Sequence, residues 1–280
     1  MHMKTTRFVS GKIMAFIFLV FLFQHSFSQP KPATNPIEAK VLDNNLTVYL
    51  GGGGNSGILV TDSAVVVIDT KMGTEAEDLA ALAREKAGGK KIIVINTHYH
   101  GDHTKGNMLY KGSRIYIGNY DKEFLVKNMD RENMPTDFVA KDLKLNLGDE
   151  TVEIYNFGQA HTWDDVIVYL EKRRVLFTGD LVFNKINPVL KKESGANADS
   201  WSLALNAMLM GWEISGVVPG HGAVGTKDII VNMKEYLEDM LDAAENPGNM
   251  NKLKSKYKNW VEIPDMTSPE KTIEYIKAEK

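Results

Sequence analysis

Short, unbroken apolar runs alternate along this chain with longer stretches in which apolar residues recur every three or four positions. Residues 46–50, 57–60, 64–69 and 90–96 are β-branched and apolar, which predicts strands. The first two flank Gly51 to Gly54 with Asn55-Ser56, predicting a hairpin with a Gly-rich tip, either a loose turn or a flap over a site. No helix with a Lys-Ser/Thr pair follows those glycines, so they do not form a phosphate cradle. Thr74-Glu75-Ala76-Glu77 predicts a capping box opening a helix through about Lys86, ended by Gly88-Gly89. A strand at 114–117, a helix at 120–129 and a hairpin of 143–147 with 152–157 come next. Strands at 166–170 and 175–178 follow, the second ending at Gly179-Asp180. Ser200 opens an amphipathic helix bearing Trp201, Leu205, Met208 and Leu209. A last strand runs from Val217 into Gly222, and Ile229, Met233, Tyr236, Leu237, Met240 and Leu241 mark a long helix.

Each half of the chain is thus hairpin-rich strands followed by strand–helix units. Two such halves packed sheet on sheet predict an α/β fold, a four-layer αββα sandwich, with polar residues at strand ends meeting along one edge. The final thirty residues, Lys-rich with Trp260 and Pro264, read as a helical appendage on the outside with no chemistry of its own.

The first residues have a different character. Lys4, Arg7 and Lys12 precede an apolar run from 13 to 23, and Ser26-Phe27-Ser28 offers small residues for cleavage, leaving Gln29 first. An uncleaved anchor is the other reading, but the run is short of the ~20 residues needed to span a bilayer. The expected organisation is a signal peptide at 1–28, a mobile tail at 29–36, one domain at 37–245 and the appendage at 246–280. The mature chain is expected in the periplasm or secreted, without a stable membrane anchor. Losing three positive charges and no acid moves the formal net charge from −3 to −6, which disfavours nucleic acid as a partner. Cysteine is absent, which excludes disulfides, thiolate metal sites and a thiol nucleophile. His2 and His25 leave with the leader, so five histidines remain: His98, His100, His103, His161 and His221.

Three of those five lie in His98-Tyr99-His100-Gly101-Asp102-His103, directly after the 90–96 strand. Side chains two apart on an extended backbone share a side, which lets His98 and His100 grip one ion. Gly101 turns the chain, and Asp102 and His103 leave it in a direction suited to a second ion. Imidazoles and a carboxylate at this density are a zinc ligand set.

With His161, Gly179-Asp180 and Pro219-Gly220-His221-Gly222, this run resembles the signature of the metallo-β-lactamase-fold hydrolases, across about residues 40–245. The resemblance implies one metal on His98, His100 and His161 and a second on Asp102, His103 and His221, with Asp180 bridging both. It implies that Asp69 holds the ligand loop from behind. Two Zn2+ about 3.5–4 Å apart would share a hydroxide that attacks a carbonyl, with Asp102 as the catalytic residue orienting it and shuttling its proton. Iron or manganese satisfies the same donors. The commonest zinc β-lactamases carry Cys where this chain has Asp180, and an Asp bridge instead resembles the broader thioesterases, lactonases, sulfatases and nucleases. Glyoxalase II is a poor match, because its Gly-rich, Arg-containing run is replaced by Leu181-Val182-Phe183-Asn184-Lys185-Ile186. The expected function is an exported dinuclear zinc hydrolase of a small ester-like, lactone or lactam substrate. A β-lactamase proper and a zinc-binding protein without turnover are the alternatives. Trp163, Lys185 and Asn55 are candidate pocket residues, although Trp163 reads equally as a packed aromatic and Lys185 as an ordinary surface lysine.

Overall fold

In a computed structural model that describes residues 37–279, the β-branched runs pair into two sheets. The expectations for residues 1–36 lie outside the described residues. The first sheet joins β1 (Glu38–Asp43), β2 (Leu46–Leu50), β3 (Ser56–Val60), β4 (Ala64–Ile68), β5 (Lys91–Ile95), β6 (Arg114–Gly118) and β7 (Asp137–Val139) in chain order. It is antiparallel through β4 and parallel beyond. The second runs β12 (Gly216–His221), β11 (Val175–Phe183), β10 (Asp165–Leu170), β9 (Thr151–Gly158) and β8 (Leu143–Asn146), parallel only between β11 and β12. Helices α1 (Gly73–Ala87), between β4 and β5, α3 (Lys122–Asn128), between β6 and β7, and α4 (Ala198–Gly211), between β11 and β12, lie in the crossovers of three of those parallel pairs.

Both faces of each sheet are covered, which is why the strands read as continuous apolar runs. Val66, Ile68, Ile93 and Ile95 meet Val152, Ile154, Val166 and Val168 between the sheets. Ile58, Val65, Val67 and Val94 face α1 through Leu79, Ala80 and Ala83. On the opposite side Ile167 and Leu176 face Trp201 and Leu205 of α4, and Met233 and Tyr236 of α5 (Asp228–Glu245). These layers are the expected αββα sandwich.

Some local expectations fail. Helix α1 starts at Gly73 without a side-chain cap, and Thr74 lies inside it bonded to Glu75, so no capping box forms. Helix α4 begins before Ser200, because Asn197 accepts from the Ser200 amide and is the cap. Strand β11 does not stop at Asp180. It continues to Phe183, since Leu181, Val182 and Phe183 are buried and the strand keeps β12 as partner through shifts of register. Beyond α5, α6 (Met250–Tyr257) and α7 (Pro269–Glu279) extend the second outer layer, with Ile273 and Ile276 buried in its core.

Candidate metal centre

The loop after β5 bends rather than staying extended from Thr97 to Tyr99, yet it still brings His98 Nε2 within 3.1 Å of His100 Nδ1. A short helical turn, α2 (Gly101–Thr104), then presents Asp102 and His103. His161 arrives from the loop between β9 and β10, Asp180 from the middle of β11, and His221 from the last position of β12. All seven residues singled out in the sequence as ligands meet at one edge of the sandwich. They fall into two groups, His98, His100, His161 and Asp180, and Asp102, His103 and His221, each with donor atoms within 4.8 Å of one another.

Asp180 stands between the groups with its two oxygens turned to different sides. Oδ2 lies 3.4 Å from His161 Nε2 and 3.8 Å from His98 Nε2. Oδ1 lies 3.1 Å from His103 Nε2 and 3.5 Å from His221 Nε2. Asp102 Oδ2 closes the second group at 3.2 Å from His221 Nε2 and 3.6 Å from His103 Nε2. Gly220 makes this approach possible, because a Cβ there would overlap Asp180 Oδ1.

Buried hydrogen bonds decide which ring nitrogens face inward. Asp69 Oδ2 accepts from His103 Nδ1 (2.8 Å) and from Thr97 Oγ1 (2.8 Å), while Oδ1 accepts from the Thr97 amide. Thr97 Oγ1 spends its proton on Asp69 and is left to accept from His98 Nδ1 at 3.2 Å. Both histidines therefore carry hydrogen on Nδ1 and aim Nε2 at the centre, held by one carboxylate. Asp69 adopts φ +57, a left-handed geometry that aspartate tolerates, which lets it turn back beneath the loop. His100 Nε2 pairs with Ser194 Oγ at 3.2 Å, leaving Nδ1 inward.

Charge separates the two groups. Burial holds His98 well below its ordinary pKa, and lowers His100 to about 4 and His161 to about 3, so these rings are neutral at pH 7. Burial pulls down on His103 and His221 as well, but the carboxylates of Asp180, Asp69 and Asp102 overcome it. They push His103 well up, and Asp180 and Asp102 push His221 to about 9. The Asp102 and Asp180 carboxyls are buried too, which alone would raise them, yet the His103 and His221 cations hold both below the ordinary range.

The Gly-rich tip is neither loose nor a lid. Lys71, fully buried, donates from Nζ to the carbonyls of Tyr49 (2.9 Å), Gly51 (2.5 Å) and Gly54 (2.8 Å) and pins the tip beneath the centre. Gly54 lies against the His103 ring so closely that a Cβ would overlap it, and its amide donates to the Asp102 carbonyl. Lys71 was not foreseen, because a lysine in sequence looks like any solvated cation. Asn55 supports rather than lines the site. Its amide donates to the Gly220 carbonyl and its Nδ2 to those of Pro219 and Gly222, tying down the His221 turn.

Above the centre opens a cavity of about 520 Å³ whose lining includes His100, Asp102, His161, Asp180 and His221. Trp163 and Lys185 are not among its lining residues. Trp163 stacks on Tyr120 with ring centres 5.0 Å apart, and Lys185 is exposed with φ +57. The appendage does reach the cavity, through Val261, Ile263 and Met266, which the expectation of no chemistry there overlooked.

Metal fits these residues. Neutral ring nitrogens 3.1–3.2 Å apart at His98, His100 and His161 approach the spacing of about 3.3 Å set by tetrahedral Zn–N bonds of roughly 2.0–2.1 Å. His103 Nε2 and Asp180 Oδ1 lie buried 3.1 Å apart with no well-aligned hydrogen bond between them, and a metal ion could take the place of the proton they share. Residues 49–221 match the Metallo-beta-lactamase superfamily. The chain is 26% identical over 220 residues to a metallo-beta-lactamase type 2 of Bacillus cereus, covering 74% of this chain and 85% of that one. It is 26% identical over 217 residues to metallo-beta-lactamase IND-1 of Chryseobacterium indologenes, covering 73% and 89%. The solved metallo-beta-lactamase from Pontibacter korlensis shares the fold with a TM-score of 0.64 and 23% identity, across 72% of this chain and 99% of its own. With that match spanning more than half its length, the chain belongs to the metallo-beta-lactamase superfamily, a metal-dependent hydrolase.

Proposed function

We propose that the protein is an exported dinuclear zinc hydrolase of small lactones, esters or lactams. The observation that carries this reading is the divided carboxylate of Asp180, one oxygen toward His98 and His161 and the other toward His103 and His221. His98, His100 and His161 would hold one ion, Asp102, His103 and His221 the other, and Asp180 both. Bound there, the pair would supply Lewis-acid polarisation of a carbonyl and a lowered pKa for water. Asp102 does the proton work. Its carboxylate borders the cavity and stays ionised beside His103 and His221, so Oδ2 takes the proton of the attacking water and delivers it to the leaving group. Asp69 and Thr97 keep His98 and His103 in the tautomer that ligation requires.

Relatives that bear the β-lactamase name favour a second reading, lactam hydrolysis as the main activity. Asp180, in place of the Cys of the commonest zinc β-lactamases, favours lactones and esters. Kinetics of the zinc-loaded protein on both panels, before and after chelation, separate the two. The expected result is metal-dependent turnover with kcat/KM higher for lactones or esters. Cephalosporin or carbapenem turnover above about 10⁵ M⁻¹s⁻¹ would reverse that order. No turnover on either panel with two ions bound would leave a metal-binding protein. Export is part of the proposal, with residues 1–28 as leader, 29–36 as tail and 37–245 as the hydrolase domain. Mass spectrometry of secreted material should then begin at Gln29, and an intact Met1 on a membrane-bound product would refute cleavage.

A further inference from the structure

The cavity has two unlike sides. Ligand carboxylates and imidazoles form its floor, whereas Ile186 and Val189, after β11, and Val261, Ile263 and Met266, between α6 and α7, form an apolar wall. Val261, Ile263 and Met266 are 58%, 36% and 47% exposed, so the fold leaves apolar side chains to water beside the reactive centre. Scattered exposed hydrophobes need no explanation, but a group of them facing a metal centre within one cavity does.

The wall is built rather than draped. Val261 donates its amide to the Lys185 carbonyl (2.9 Å) and accepts from the Asn187 amide (2.9 Å), a parallel bridge that fastens the C-terminal connection to the segment after Asp180. The Met266 amide donates to the Ile263 carbonyl (3.0 Å), and Ile263 donates to Thr267 Oγ1 (2.8 Å), fixing the turn that carries Met266. Helix α7 anchors the far end through the Tyr236–Thr272 hydroxyl pair (2.9 Å). A wall already ordered costs a ligand little to use. The superfamily match ends at residue 221, so the Val261, Ile263 and Met266 part is supplied by chain beyond it.

We propose that this wall is a subsite for an alkyl or acyl chain on the substrate, which makes an acyl-bearing ester or lactone the preferred class. This rests on the hydrolase reading above. The reaction is hydrolysis: the water oxygen bonds to the carbonyl carbon, the carbon–oxygen bond to the leaving group breaks, and the leaving oxygen receives the proton. The chain lies along Val261 and Met266 while the carbonyl faces Asp102 and Asp180.

Two measurements on the zinc-loaded protein test it: kcat/KM for nitrophenyl acetate against nitrophenyl hexanoate, and calorimetric titration with acetate against hexanoate. Each buried methylene is worth about fourfold in affinity, so partial burial of the longer chain should favour hexanoate about tenfold in both. The double variant Val261→Ser with Met266→Ser should bring both ratios down to about threefold or less. Met266→Leu should preserve them, as should Leu203→Ser on the exposed face of α4. Equal binding of the two acids, or ratios the double variant leaves intact, would overturn the subsite. Failure of both esters to turn over, with hexanoate still favoured in calorimetry and the double variant erasing that preference, would uphold the subsite and refute ester hydrolysis as the activity it serves.

Discussion

On the His98, His100 and His161 side of the centre three neutral imidazoles point bare nitrogens at one place, while on the Asp102, His103 and His221 side cations and carboxylates already neutralise one another. The first side is a set of neutral ring nitrogens 3.1–3.2 Å apart, a spacing that one metal ion could share. The second satisfies itself with protons, which a metal must displace. The same residue types are thus placed in opposite states by what surrounds them: burial outweighs the one acid, Asp180, on the first side, and several acids outweigh burial on the other.

Removing the element common to both sides should do most damage. Asp180→Ala is expected to lower bound metal from two ions per chain to one or none and to cut kcat/KM by on the order of 10³. Elemental analysis that still finds two ions would break the comparison, since neither side would then depend on the bridge. Variants confined to one side come next. His98→Ala and His103→Ala should each retain one ion and lose about 10² in kcat/KM. Cobalt substitution, read by absorption, should show different surviving sites in the two variants. Identical spectra would mean the sides are not independent.

Acidity sharpens the contrast further. His221, raised to about 9, must give up a proton to bind metal at pH 7, whereas His100 at about 4 and His161 at about 3 are already neutral. Binding on the acid-containing side should release up to two protons, from His221 and His103, and weaken about tenfold per unit for each proton released as pH falls below 9, while the other side holds steady to about pH 5. Calorimetry in buffers of different ionisation enthalpy measures those protons, and equal release on both sides would contradict the assignment. In the metal-free chain the sign for folding reverses. A raised His221 pKa stabilises fully below 6.5 and loses that contribution as pH rises through about 9. Lys71→Met should have the smallest effect. It leaves three loop carbonyls short of a donor at a cost of about 1–3 kcal/mol, and it should weaken metal mainly on the side of Asp102 and His103, against which the Gly53–Gly54 turn packs. Thermal unfolding with metal titration reads both effects.

These contrasts mark how far the sequence could be read. The strands were legible because both faces of each sheet are buried and their apolar runs are unbroken. The candidate ligands were legible as residue types, since few other arrangements place so many histidines beside strand ends. What sequence withheld was environment. Nothing local says that His103 is charged and His98 neutral, because Asp69 and Asp180, far apart in the chain, decide it. The end of β11 was misjudged at Gly179-Asp180, where turn-forming residues sit inside a strand so that a carboxylate can enter the core. Asn55 and Trp163 were candidates for the pocket on position alone, with Trp163 read equally as a packed aromatic. Asn55 spends its amide on the His221 turn, and Trp163 packs on Tyr120.

The spread of the seven donors along the chain has a bearing on assembly. An N-terminal piece ending anywhere before His161 offers at most the four donors of the His98–His103 run, and only with Asp180 and His221 are both groups complete. In a chain emerging from its N-terminus, then, cation capture in the native arrangement waits until both sheets have docked. Loading would then be a closing act, with the ions as rivets across a seam that apolar packing must first bring together.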